Sequence, residues 1–150
     1  MPIHSKICTW TCRGLHVTKW ADCEPKLKVL QQLLEVHDLV LIQESHITPA
    51  VWEHMQSWAW KRGICLLGKG AHSAPSGLLA AVRLSDAKWW SYEYLERDSI
   101  QLLRNHRNQS DGGEVINCYL SPKSGRCRLE QVELVGRYVK ERGVGTRVPY

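Results

Sequence analysis

The residues best placed to do chemistry lie in the run His37 to His46, HDLVLIQESH, where Gln43, Glu44, Ser45 and His46 follow directly on Leu39, Val40, Leu41 and Ile42. A carboxylate that leaves a buried strand is rigidly held yet wet, and metal ions and phosphates are gripped by side chains at such an edge of a layered fold. The plainer alternative for Glu44 is a solvated strand-end residue, since carboxylates are mostly exposed anyway. A second rim of the same kind follows the run EVINCYL, where Tyr119, Leu120, Ser121 and Pro122 emerge from another apolar stretch.

Other candidate patterns carry less. His4, Cys8 and Cys12 are spaced four apart, but on a strand such residues span roughly 13 Å per step, too far for ligands of one zinc ion. His54 falls on an apolar helical stripe, where a packed histidine is the expected reading and a ligand the alternative. Gly68, Gly70 and Gly77 match no phosphate-cradling spacing, even with the lysine between the first two, and read as a hairpin connection. Six cysteines without a paired C-x-x-C spacing or a secretory signal read as reduced thiols. Cys8, Cys65 and Cys118 sit in apolar strand-like runs, where a thiol acts as a small hydrophobe.

The elements that must position these groups are legible as patterns. Ile7 to Thr11 reads as a first strand, ended by Cys12, Arg13 and Gly14. Pro25 to Val36 puts Leu27, Leu30, Leu33 and Leu34 on one stripe, which predicts a helix opened by the proline. It passes straight into the run around Leu41, so the strands on either side of it are expected to be parallel neighbours. The four-residue apolar core of that run is too short for a helix and predicts a strand buried on both faces. Thr48 and Pro49 predict a capped second helix with Val51, His54, Met55 and Trp58 along one side. Strands are then expected at 64–67, 78–82, 99–103 and 114–120, the last two around the turn NQSDGG. Leu129, Val132, Val135 and Val139 predict a third amphipathic helix ending near Gly143, and Arg147 to Tyr150 the start of another strand. The order predicts mixed α/β layers rather than a bundle or barrel.

The chain has 150 residues, 43% hydrophobic and 23% charged, as expected for one globular domain. No apolar run approaches the ~20 residues needed to cross a bilayer, and Met1 to Trp20 lacks a signal-peptide core. The expectation is an intracellular protein, nuclear or cytoplasmic, that does not engage a membrane. A net charge of +5 and a pI near 9.0 favour a polyanionic partner.

Four segments in this order resemble one family. TWTCRGL (9–15) is similar to its first-strand motif, LIQESHIT (41–48) to its Leu-x-Gln-Glu metal motif, SGLLAAVR (76–83) to its glycine-led strand, and VINCYLSP (115–122) to its Asn-x-Tyr-x-x-Pro strand end. The family is endonuclease/exonuclease/phosphatase, and the wording Gln-Glu-Ser-His-Ile-Thr resembles most closely the endonuclease domains of non-LTR retrotransposons. The resemblance implies a four-layer α/β/β/α sandwich and a hydrolase that cleaves phosphate esters with Mg²⁺, or Mn²⁺ in its place, and needs no small-molecule cofactor. It also implies that Glu44 is a metal ligand, that Tyr119 hydrogen-bonds the phosphate as a catalytic residue, and that Cys12 takes the place of an asparagine that helps hold the metal shell. A thiol is a soft, poor magnesium partner, so weakened metal binding is expected.

The family's Gly-Asp-x-Asn and closing Ser-Asp-His motifs do not occur in these 150 residues. With them go the water-positioning aspartate, the transition-state asparagine and the histidine. The expectation is therefore a single, C-terminally truncated domain over 1–150, the N-terminal part of a Mg²⁺-dependent phosphodiesterase or endonuclease acting on DNA, inactive as this fragment. The alternatives are a non-catalytic nucleic-acid-binding domain of the same fold and an unrelated α/β interaction domain. An incomplete second sheet should leave apolar surface exposed and the isolated chain prone to aggregate.

Overall fold

In a computed structural model of the protein, residues 6–15, 20–69, 77–96, 99–107, 113–119 and 125–141 are described. The elements run β1 (Ile7–Thr11), α1 (Trp20–Val36), β2 (Leu39–Gln43), α2 (Trp52–Trp60), β3 (Ile64–Leu67), β4 (Leu79–Arg83), β5 (Trp90–Glu96), β6 (Ile100–Asn105), β7 (Glu114–Cys118) and α3 (Gly125–Glu141). They build a mixed α/β fold with a four-stranded sheet of order β1-β2-β4-β3 and a three-stranded sheet of order β5-β6-β7.

The central strand β2 is buried along its whole length. It pairs in parallel with β1, from Ile7 opposite Leu39 to Thr11 opposite Gln43, as expected for two neighbouring strands joined through a helix. On its other side it pairs antiparallel with β4, which in turn takes β3. Because side chains alternate along a strand, Val40 and Ile42 enter one core while Leu39 and Leu41 enter another. In the first core Leu27, Leu30 and Leu34 of α1 and Met55 and Ala59 of α2 cover one face of the four-stranded sheet. In the second, Cys65, Leu67, Ala80 and Val82 of the same sheet meet Trp90 of β5 and Leu103 of β6. Helices, sheet and second sheet thus stack with the strand that carries Glu44 in the middle layer.

Several expectations are corrected. Helix α1 starts at Trp20, so Pro25 lies inside the helix rather than opening it. The leucine stripe after Pro25 recruits the preceding residues, and tertiary packing overrides the proline's preference for a first turn. A 3₁₀ turn, Pro49–Val51, precedes α2, and the Thr48 hydroxyl makes no capping bond. His54 is exposed, not packed in the core, and Cys118 also faces outward. Strand β5 and the 3₁₀ turn Leu84–Trp89 before it were not anticipated. The alternation Trp90, Tyr92, Tyr94 against Ser91 and Glu93 is the signal that gives the strand away. Arg147 to Tyr150, the end of the third helix near Gly143, and the NQSDGG turn apart from Gly113 lie outside the described residues.

Helix α3 is hydrogen-bonded to the second sheet through the Tyr138 hydroxyl, which donates to Glu114 of β7 at 3.0 Å. The apolar stripe of α3 is only partly covered. Leu129 and Val132 remain 59% and 52% exposed while Val135 and Val139 are half-buried.

Candidate active site

Beyond Gln43 the β1–β2 ladder does not stop but bends. Backbone N–H groups of Cys12, Gly14 and Leu15 donate to the carbonyls of Gln43, Glu44 and Ser45 at 3.2, 2.6 and 2.7 Å. Within this bend Arg13, Glu44 and His46 all adopt left-handed backbone, with φ of 52°, 55° and 57°. Such a conformation costs a non-glycine residue about 1–2 kcal/mol, and it persists where the surroundings over-determine it, as at functional sites. Lys26 of α1 supplies part of that determination, its ammonium donating to the carbonyls of Cys12 at 2.8 Å, Arg13 at 3.2 Å and Gly14.

Gly77 closes the bend from the β4 side. Its carbonyl accepts from Ser45 N–H at 3.0 Å. With φ of +142° a Cβ there would overlap Ser45 Oγ and come 2.9 Å from the His46 nitrogen. Gly68, at φ of +151°, is likewise glycine because the Tyr94 hydroxyl lies 2.5 Å from where a Cβ would stand. Close approach rather than phosphate binding explains these two glycines. Ser45 Oγ and His46 Nε2 are buried without a hydrogen-bond partner among the described residues, an unusual state for polar atoms and a further mark of a special site.

Tyr119 arrives from the second sheet. Its N–H continues the β6–β7 ladder, donating to Ser99 at 2.8 Å. Burial pushes the Tyr119 phenol above its ordinary range, and the charge of Glu44 and a hydrogen bond to that carboxylate push it further. Gln43 and Asn117, which precede the two residues, are hydrogen-bonded at 2.9 Å, so Tyr119 lies within reach of the Glu44 charge although 75 residues separate them in the chain. The Cys12 thiol donates to the backbone carbonyls of Gln43 and Glu44, each at 3.5 Å.

Cys12, expected from the resemblance to stand in place of an asparagine as a poor magnesium partner, is buried. It is 5% exposed and points into the core beneath α1. Burial pushes its thiol up to about 11, against the smaller opposing effects of the Gly14 N–H and the Lys26 charge. It is therefore protonated at neutral pH, and the metal-binding form of a cysteine is the thiolate. The neighbouring Thr11 is the side chain that turns towards the strand end, its hydroxyl donating to Gln43 Oε1 at 3.3 Å. Strand alternation separates the two residues, and the family motif Trp-Asn-x-x-Gly-Leu, laid on Trp10, Gly14 and Leu15, puts its asparagine at Thr11.

Among the described residues no three His, Cys, Asp or Glu side chains gather as metal ligands would. Glu44 is the carboxylate that the described residues place at this bend. Magnesium keeps several waters and asks for only one or two carboxylates, so Glu44 meets the minimum for a hydrated ion and no more.

The fold is similar to that of an AP endonuclease. The crystal structure of the AP endonuclease LMAP from Leishmania major superposes with a TM-score of 0.60 at 15% sequence identity, over 91% of this chain and 48% of that one. The chain thus spans about half the length of that structure. No protein-family model and no curated protein matches the sequence. The shared architecture is the mixed α/β arrangement of two sheets and helices.

Proposed function

We propose that the protein is the N-terminal part of a Mg²⁺-dependent phosphodiesterase of the endonuclease/exonuclease/phosphatase type, related to retrotransposon endonucleases and acting on DNA. Its two sheets would be the inner layers of an incomplete four-layer sandwich. The observation that carries this reading is the junction of β2 and β7, where Gln43 donates to Asn117 at 2.9 Å and so brings Glu44 and Tyr119, which follow these strands, to neighbouring ends of the two sheets. Glu44 would hold a hydrated Mg²⁺ or Mn²⁺, and the phenol of Tyr119 would donate a hydrogen bond to a phosphate oxygen. A bound divalent ion supplies charge neutralisation at a phosphate. The chain's own contribution is to hold the carboxylate rigidly through its left-handed bend and to set a neutral hydrogen-bond donor against it. The net charge of +5 supports a polyanionic substrate.

A second reading is favoured by the absence of a three-ligand cluster among the described residues and by the protonated thiol. On that reading the domain binds nucleic acid without cleaving it. One experiment separates the two. The C-terminal half of the Leishmania major AP endonuclease is appended to this chain and nicking of supercoiled plasmid is followed with Mg²⁺. Nicking that is lost in Glu44→Gln and increased by Thr11→Asn supports the nuclease reading. DNA binding that falls with salt, ignores Mg²⁺ and survives Glu44→Gln, with no nicking, supports the binding reading.

A further inference from the structure

Three carboxamides are buried where the sheets meet. Gln43 is 8%, Gln101 0% and Asn117 1% exposed. Alternation along the strands explains why they meet. Gln43 shares its face of β2 with Leu39 and Leu41, and Asn117 shares its face of β7 with Val115, all facing the space between the sheets.

Their hydrogen bonds form one connected set. Gln43 Nε2 donates to Asn117 Oδ1 at 2.9 Å and to the Leu41 carbonyl at 3.4 Å, while Gln43 Oε1 accepts from Thr11. Asn117 Nδ2 donates to the Leu79 carbonyl at 2.9 Å and to Gln101 Oε1 at 3.3 Å. Gln101 Nε2 donates to the Leu67 carbonyl at 2.8 Å. Each of the six amide nitrogens and oxygens has a partner, and the partners come from β1, β2, β3 and β4 on one side and β6 and β7 on the other.

Apolar contacts between two sheets are non-directional and tolerate sliding, whereas hydrogen bonds do not. A shift of one sheet over the other would strand buried amide groups, each at a cost of desolvation. Gln43 immediately precedes Glu44, and Asn117 lies two residues before Tyr119 on the same face. We infer that the Gln43–Asn117–Gln101 amide chain is the device that sets the register between the sheets and so holds the Glu44 carboxylate against the Tyr119 hydroxyl. Gln43 and Asn117 are positioning residues for that pair. The inference rests on reading Glu44 and Tyr119 as the working groups.

The test uses the full 150-residue chain with ¹³C-labelled tyrosine. The Tyr119 ring signal, assigned by its loss in Tyr119→Phe, is compared with and without Glu44→Gln, so that the change reports contact between the two residues. In the otherwise unaltered protein Glu44→Gln is expected to shift that signal. In Gln43→Met and Asn117→Leu backgrounds most of the shift should disappear. Thr11→Val, at the exposed end of the chain of bonds, should diminish it while leaving the core intact. Leu103→Ala, a cavity in the same inter-sheet core but outside the amide chain, should lower the melting temperature and leave the shift in place. A merely stabilising role would make the shift follow the melting temperature in every variant, and that result overturns the proposal. A full shift in Thr11→Val and Gln43→Met together also overturns it. If Glu44→Gln leaves Tyr119 unmoved in the parent protein, the pairing itself is wrong, and so is every reading built on it. Loss of nicking with an intact shift would instead refute the proposed activity alone.

Discussion

Replacing Gly77 with alanine should damage the protein at the bend that displays Glu44. The new Cβ would overlap Ser45 Oγ and approach the His46 backbone nitrogen at 2.9 Å and the Ser45 nitrogen at 3.2 Å. Ser45 is fully buried, so its hydroxyl has no open space to enter, and the backbone it must push is tied to Leu15 N–H at 2.7 Å. Overpacking of this kind costs about 1–3 kcal/mol, and an alanine held at φ near +142° adds strain of comparable size. Together they predict a loss of about 3 kcal/mol, or about 10 °C in melting temperature for a chain of this size. The assay is thermal and urea denaturation of Gly77→Ala, Ser45→Ala and the double variant. Ser45 Oγ has no partner among the described residues, so its removal alone should cost little. The double variant should recover about 1 kcal/mol relative to Gly77→Ala, because one of the three collisions is gone. A Gly77→Ala protein that melts with the parent, or a double variant that recovers nothing, would refute this account of the bend.

Cys12 makes stability depend on pH in the alkaline range. Its thiol is raised from 9.0 to about 11 by burial, so the folded state favours the neutral form. That stability is whole below pH 9 and is lost as pH rises through 11, by on the order of 2 kcal/mol. Cys12→Ala should show a flatter decline between those values in urea titrations, and identical slopes would contradict the placement. Arg83 donates to the carbonyls of Leu34 and His37 at 2.6 and 3.0 Å and to Asp38 and Asp86 at 2.6 and 2.9 Å. It thereby closes the end of α1 onto the start of β2. Arg83→Met is expected to cost about 2 kcal/mol in a urea melt, since two backbone carbonyls lose a charged donor. Leu129→Lys with Val132→Lys should suppress concentration-dependent self-association in sedimentation runs without lowering the melting temperature, because both side chains are mostly in water. Equal association in both proteins would show that the stripe on α3 is not responsible.

The parts of the fold that depend on periodicity could be read from the chain. The apolar run of β2, the leucines of α1 and the parallel pairing across α1 all follow from burial patterns that any sheet-and-helix packing must satisfy. Helix α1 extends five residues before Pro25 because packing outweighs a local preference. The alternation of aromatics in β5 is legible, but after the buried Trp90 most of its residues are only half-buried, so no run of aliphatic residues marks it. At the site, Glu44 and Tyr119 could be nominated from the way polar residues follow apolar runs. That the strands before them bring them close is a long-range fact. The left-handed backbone of Arg13, Glu44 and His46 was beyond a reading of residue types, because none of the three is glycine and the conformation is imposed by the neighbouring ladder. Gln43 and Asn117 look like ordinary polar residues in a strand. Only the meeting of the two sheets supplies the partners that make their burial tolerable.

The parallel pairing of β1 with β2 carries a consequence for biosynthesis. The bend at Glu44 cannot be fixed until α1 has folded back and brought Lys26 over the turn, and Tyr119 is delivered only when β6 and β7 close on the sheet already made. A chain emerging from the ribosome therefore cannot bring Glu44 and Tyr119 to one end of the fold until residue 119 has cleared the tunnel.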